Sequence, residues 1–316
     1  MKSGFLEVPM SLFSLIAALL LEHFRPLGGS NPVSLLFTRY ANYLERHFNA
    51  GQNVHGAVAW LLAVLLPAVV VGGIYGGLYT LNSLLAWAFS AVVLYPLLSL
   101  KQLGGQAERV AAALRAADLG EARRLLSQWH GRPADELGAA EIARVGIEQT
   151  LGCAHKNLLG VIIWFVVLGP AGAVLYRLSQ LLSQKWGGLD QRDFGEFGKF
   201  SAQAFALMDW VPLRLSAISF AVVGDFEDAV YCWRSQASAW VQQGIGIVLA
   251  SGAGALGVKL GEPLSYGGNI EFRPELGLGD DADADYLDSA VSLVWRTVVL
   301  WLVLLLLLTI AGWVGS

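Results

Sequence analysis

Apolar and polar residues are unevenly spread along this chain. Long hydrophobic runs alternate with short charged stretches. Leu12 to Leu21 is apolar, with Ser14 as its polar break. A crossing of a hydrocarbon layer about 30 Å thick needs about 20 residues. The flanks from Phe5 to Phe24 supply them, so this is a retained crossing helix, or else a re-entrant or interfacial one. Pro26, Gly28, Gly29, Asn31 and Pro32 mark a turn. Residues 33–48 mix Leu35, Leu36, Phe37, Tyr40, Tyr43 and Leu44 with Arg39, Glu45, Arg46 and His47. That pattern predicts an amphipathic helix, either at a membrane surface or packed on the protein. Ala57 to Leu98 holds no charge and is too long for one crossing. Two helices over 57–76 and 79–99 fit it, with the turn at Gly76-Gly77 or that pair inside a helix as a close-packing face.

From Lys101 to Lys156 the character changes. Arginines and acids appear, and apolar residues recur at helical spacing, as in a water-exposed helical subdomain. Asp118 followed by Glu121 reads as a helix cap. Leu158 to Tyr176 is the next apolar run, with a kink expected at Gly169-Pro170. A polar connection follows. Ala204 to Val223 is apolar except for Asp209 and Arg214, which sit five positions apart and so do not share a helix face. Val241 to Val258 is rich in Gly and Ala, and serves as a crossing, a re-entrant segment or a buried helix. Tyr266-Gly267-Gly268 is a turn, and an acidic cluster at 280–288 precedes Val291 to Trp313, the clearest crossing.

The expected fold is therefore all-α, a polytopic integral membrane protein with about five to seven transmembrane or re-entrant helices and a cytoplasmic helical insertion. Its parts are membrane helices over 1–100, with the surface helix 33–48 among them, the helical subdomain 101–156, and membrane helices over 157–316 with polar loops 177–203 and 259–290. Arginine in the loops near 39–46 and 109–144 places those loops in the cytoplasm. The expected site of action is a bacterial inner membrane, crossed several times.

Composition supports this reading. Hydrophobic residues make up 55% and charged ones 15%, against about 25% charged in soluble domains. A net charge of -4 with no basic stripe excludes a nucleic-acid partner. Cys153 and Cys232 are far apart with no metal-ligand spacing around them, so no metal centre is expected. No phosphate-binding loop, nucleophile elbow or internal repeat is present. The residues left for chemistry are Glu148, Asp209 and Arg214 as catalytic candidates. Glu22, His155, Lys156, Asn157, Tyr176 and Arg177 are candidates for substrate or phosphate contacts. Acids there can act as a base or hold Mg²⁺, and cations can hold phosphate or carboxylate. A charged collar at a membrane entry explains the same group without a ligand. Intramembrane ions such as Asp209 and Arg214 need protein or water around them.

Four stretches carry a resemblance. They are Ala112 to Arg123, Gly169-Pro170-Ala171-Gly172 through Tyr176-Arg177, Phe197-Gly198-Lys199-Phe200 through Asp209-Trp210-Val211-Pro212-Leu213-Arg214-Leu215, and Ala253 to Gly261 with Tyr266-Gly267-Gly268. Together they resemble the CobD/CbiB cobalamin-biosynthesis membrane proteins and the related AmpE proteins. The cobalamin branch is an adenosylcobinamide-phosphate synthase. The resemblance implies joining of aminopropanol, or its phosphate, to a cobyric acid carboxylate with ATP and Mg²⁺.

The chain departs from that pattern at its polar positions. Gln180 to Lys185 stands where the family has Asn-Thr-Leu-Asp-Ser-Met, so the Asp is gone. Phe205 and Ala206 replace paired acids, Asp209 replaces an Asn, and of a nine-residue motif falling on Trp240 to Val248 only Gly246 survives. Glu22 and Asn31-Pro32 match the start of the family's first motif. Packing residues persist where polar ligands do not. The expectation is a divergent member with an accessory or regulatory, AmpE-like role and no firm cofactor. The alternative is the synthase, with ATP and Mg²⁺. A corrinoid or a membrane protein is the expected partner alongside the lipid bilayer, and self-association into a homo-oligomer stays open.

Overall fold

The computed structural model describes residues 4–25, 32–49, 53–187 and 197–314. The turn expected at Pro26 to Asn31 and the middle of the polar connection, 188–196, lie outside them. The protein is an all-α polytopic membrane protein. Among the described residues five helical runs are long and apolar enough to cross a membrane: Asn53–Leu81, Ser83–Arg115, Ala139–Trp186, Phe197–Val223 and Ala284–Val314.

In chain order the elements are α1 (Gly4–Phe24), α2 (Pro32–Phe48), and α3 (Asn53–Trp60), continued by a π turn into α4 (Leu66–Leu81). Then come α5 (Ser83–Leu94), α6 (Leu100–Arg115), α7 (Leu119–His130), and α8 (Ala139–Ala154), continued by the π turn His155–Leu159 into α9 (Gly160–Trp186). The chain ends in α10 (Phe197–Val223), α11 (Phe226–Gln236), α12 (Gln243–Leu256), a hairpin of β1 (Leu264–Tyr266) and β2 (Asn269–Glu271), and α13 (Ala284–Val314).

Two compact units are present. The first comprises Met1–Leu100, Lys156–Trp210 and Leu302–Ser316. In it α1 packs on α5, and α4 packs on α5 and α9. Its core includes Leu15, Val64, Ile162, Phe165, Tyr176, Trp186 and Phe197. The helical hairpin turns at Asn82 and not at Gly76-Gly77. The Asn82 side chain accepts the N–H of Leu84 at 2.8 Å and caps α5. Gly76 and Gly77 remain inside α4.

The polar loop expected over 177–203 is also corrected. Helix α9 runs to Trp186 and α10 starts at Phe197. The polar side chains there are used inside the fold: Ser179 accepts Trp60 Nε1 at 3.4 Å, and buried Gln180 accepts Arg177 at 2.8 Å. The kink falls where expected. Gly169 takes φ 64° and ψ -153°, a conformation that needs glycine, and Pro170 restarts the helix.

The second unit comprises Lys101–His155 and Val211–Trp301. Asp118 caps α7 by accepting the N–H of Glu121 at 2.9 Å. Helix α12 is the buried one of the three alternatives. Its glycines admit close neighbours: a Cβ at Gly252 would meet Leu151 at 2.7 Å, and one at Gly254 would meet the Asp228 carbonyl at 2.4 Å. The expected loop 259–290 holds β1 and β2, turned at Gly267-Gly268, and the start of α13. Segments 257–261 and 274–280 pair backbone to backbone, through bridges Val258 to Asp280 and Leu260 to Leu276.

Candidate functional site

In the second unit a charged knot surrounds Glu148. Arg144 and Glu148 are one turn apart on α8, among buried Ile142, Val145, Ile147 and Leu151. The Glu148 carboxylate accepts from Arg273 at 2.6 and 3.2 Å and from the Gly261 N–H at 2.8 Å. Arg144 pairs with the Glu262 carboxylate at 2.6 Å. Arg273 also donates to the carbonyls of Gly261, at 2.8 Å, and Glu262, at 3.1 Å. Gly261 and Glu262 have φ of 79° and 61°, left-handed values that are costly for Glu262. The two arginines and Glu148 hold that bend. Sequence reasoning missed Arg273, which lies 125 positions from Glu148. It also passed over Arg144, whose signal was legible: opposite charges at i and i+4 in an apolar helix.

The β hairpin is anchored beside this knot by a second set of contacts. Glu136 accepts the Ser265 hydroxyl at 2.6 Å and the Gly268 N–H at 3.0 Å, and these bonds lower its pKa. Arg132 pairs with Glu271 at 2.7 Å and lies over the Tyr266 ring. Burial lowers the pKa of His130, which is 3.3 Å from the Gln149 amide oxygen. The acidic cluster is likewise engaged. Asp283 caps α13, Arg115 pairs with Asp285 at 2.7 Å and Asp288 at 2.5 Å, and Asp280 accepts the Tyr286 hydroxyl. Cys232 is buried, and burial followed by the Asp228 charge pushes its thiol up to about 11.

His155 is wholly buried in the π turn, its Nδ1 2.9 Å from the Ser216 hydroxyl. Arg214 belongs to this unit and is half-buried.

The first unit holds the remaining candidates. The Tyr176 hydroxyl donates to Asp209 at 2.7 Å, and both residues are buried. Gly160 makes room for the tyrosine, since a Cβ there would meet the phenol at 2.2 Å. Phe205 packs on Tyr176 with ring centroids 5.5 Å apart. Arg177 donates to Asn157 and Gln180. Lys156 is half-buried and Glu22 is buried.

Mg²⁺ needs carboxylate oxygens that are open to it. Both oxygens of Glu148 already accept from arginine or backbone, and Oδ1 of Asp209 accepts from Tyr176, so neither carboxylate is wholly open to Mg²⁺. Among the described residues no three His, Cys, Asp or Glu side chains group to hold a metal.

Comparison with known proteins agrees with the sequence resemblance. The family model described as CobD/Cbib protein matches residues 15–294. The Cobalamin biosynthesis protein CobD of Stutzerimonas stutzeri is 39% identical, over 96% of this chain and 99% of that protein. The protein of that name from Chromobacterium violaceum is 35% identical, over 69% of this chain and 73% of its own length. The one from Brucella anthropi is 28% identical, over 88% and 89%. No solved structure matches the chain. The chain belongs to the CobD/CbiB family.

Proposed function

We propose that this protein is an inner-membrane component of cobalamin biosynthesis. In this reading it supports the corrinoid-amidating step without performing its chemistry. The cobalamin part rests on the names of its relatives. The accessory part rests on one observation: Glu148, one of the two acids among the catalytic candidates, is spent on Arg273 and the Gly261 N–H. A carboxylate closed in this way serves folding, and releasing it for a ligand would leave the half-buried Arg273 without its counter-charge. The arginine-bearing subdomain 101–156 faces the cytoplasm in this reading.

A second reading, the adenosylcobinamide-phosphate synthase, is favoured by a different observation. The match to the Stutzerimonas stutzeri protein covers 96% of this chain and 99% of that protein. One experiment separates the two. The full-length protein, purified in detergent, is mixed with cobyric acid and aminopropanol phosphate, with and without ATP and Mg²⁺. Corrinoid absorbance reports binding, and mass spectrometry reports amide formation. The accessory reading expects corrinoid binding that is indifferent to nucleotide, and no amide. Nucleotide-dependent amide formation, lost in Asp209→Ala, overturns it in favour of the synthase. Absence of any corrinoid binding by a folded, monodisperse sample removes the cobalamin role itself.

A further inference from the structure

Helix α2 has one face committed and one face outward. Phe37, Ala41 and Leu44 are buried. The Tyr40 hydroxyl donates to the Leu62 carbonyl at 3.2 Å. Glu45, the sole acid of the helix, accepts Lys185 Nζ at 2.9 Å and Trp186 Nε1 at 3.2 Å. With Glu45 so used, the outward face carries charge of one sign. Arg39 and Arg46 are exposed there, in helical register with exposed Leu36 and Tyr43 and next to exposed Leu35. Such a face suits neither bulk water nor hydrocarbon. It suits the boundary between them, where aliphatic and aromatic groups reach inward and guanidinium groups stay with the phosphates.

The depth of α2 follows from the run beside it. Asn53–Leu81 has 29 residues, about 44 Å of helix against a hydrocarbon core of about 30 Å. Its far end closes in the Asn82 turn between exposed Leu81 and Leu84, and no charge occurs from Ala57 to Leu98. The surplus turns therefore stand at the Asn53 end. Helix α2 runs alongside them: Phe48 is five positions from Asn53, and Tyr40 reaches Leu62. The same end carries more cations. Tyr95, just after α5, donates to the carbonyl of exposed Arg25 at the end of α1. Gly56 backs onto the Phe197 carbonyl, two positions before exposed Lys199.

We propose that the outer face of α2 is a binding surface for anionic phospholipid headgroups. Arg39 and Arg46 take phosphate oxygens, and Leu35, Leu36 and Tyr43 enter the acyl boundary. The test uses the full-length detergent-solubilised protein and native mass spectrometry, with phosphatidylglycerol and phosphatidylcholine supplied in equal amounts. The wild type should retain phosphatidylglycerol preferentially. The R39Q/R46Q variant should lose that preference by roughly tenfold, and R39K/R46K should keep most of it. A fluorophore on Tyr43→Cys, in phosphatidylglycerol nanodiscs, should be quenched by a lipid-borne quencher and spared by aqueous iodide. Equal retention of the two lipids by the wild type overturns the proposal. So does an unchanged preference in the glutamine variant. If that variant fails to fold, the lysine pair and the label decide. A label open to iodide until a second protein is added would make α2 a protein-docking face instead.

Discussion

Glu148 and Asp209 are both buried acids, yet the two regions that hold them answer burial differently. Around Glu148 the second unit supplies a formal counter-charge, with two nitrogens of Arg273 and a backbone N–H aimed at one carboxylate. Among the contacts that meet Asp209 in the first unit is the neutral hydroxyl of Tyr176, set in place by the missing side chain of Gly160. The first solution couples distant chain segments, because its arginine arrives from beyond the β hairpin. The second couples two long helices, α9 and α10, through one phenol. A charge clamp is strong against water but costly to break on one side only. A hydroxyl donor is weaker and depends on close packing.

The comparison is broken most severely at the clamp. Arg273→Met leaves Glu148 buried beside an apolar side chain, and stability should fall by about 3–5 kcal/mol. The double change R273M/E148M should recover most of that loss. Thermal melts of the detergent-solubilised proteins would show it, and equal losses for the single and double variants would contradict the clamp. Next in size is Gly160→Ala, whose methyl group overlaps the Tyr176 ring. It should cost roughly 1–3 kcal/mol. The same change on a Tyr176→Ala background should cost little, because the clash is gone. In the lower part of that range is Tyr176→Phe, which keeps the ring and removes one donor from the buried Asp209, for about 1.5 kcal/mol in the same melts.

The gentlest test is acidity, and it concerns the hairpin beside the clamp. Burial holds the His130 pKa below its usual value. Below about 6.5 the unfolded chain therefore takes that proton first, and stability falls as pH drops through that point. The Glu136 pKa is lowered by the Ser265 hydroxyl and the Gly268 N–H. Its contribution is present above the unfolded carboxylate value and is lost as pH falls through the lower folded one. Melting temperatures measured from pH 8 down to about pH 2 should lose the upper step in His130→Gln and the lower one in Glu136→Gln. Identical profiles in the two variants would remove this assignment.

Much of the fold could be read from the chain. The long apolar runs announced membrane helices, Gly169-Pro170 announced the break in α9, and Asp118 with Glu121 announced the start of α7. The departures have physical causes. Gly76-Gly77 left two alternatives open, a turn or a place inside a helix, because glycine breaks helices in water and is tolerated in membrane helices. In α4 the pair stays helical, and the asparagine cap at Asn82 supplies the turn. Ser179 and Gln180 looked like loop residues because polar side chains usually mark solvent. Here they meet Trp60 and Arg177 inside the helices.

The candidate residues were legible one by one, since charges inside apolar helices stand out. Their partners were not, because no local pattern ties Glu148 to Arg273 or Tyr176 to Asp209.

The Asn82 turn has a consequence for how the protein is made. Helices α4 and α5 are joined by a single capping residue, and the stretch from Ala57 to Leu98 has no charge to drag through the bilayer. An asparagine and a serine carry no formal charge, so the tip avoids the cost of about 2.5–3.5 kcal/mol that a lysine or an aspartate meets at the membrane centre. The pair can therefore leave the insertion machinery as one closed hairpin rather than as two helices in succession, its uncharged tip leading the way across.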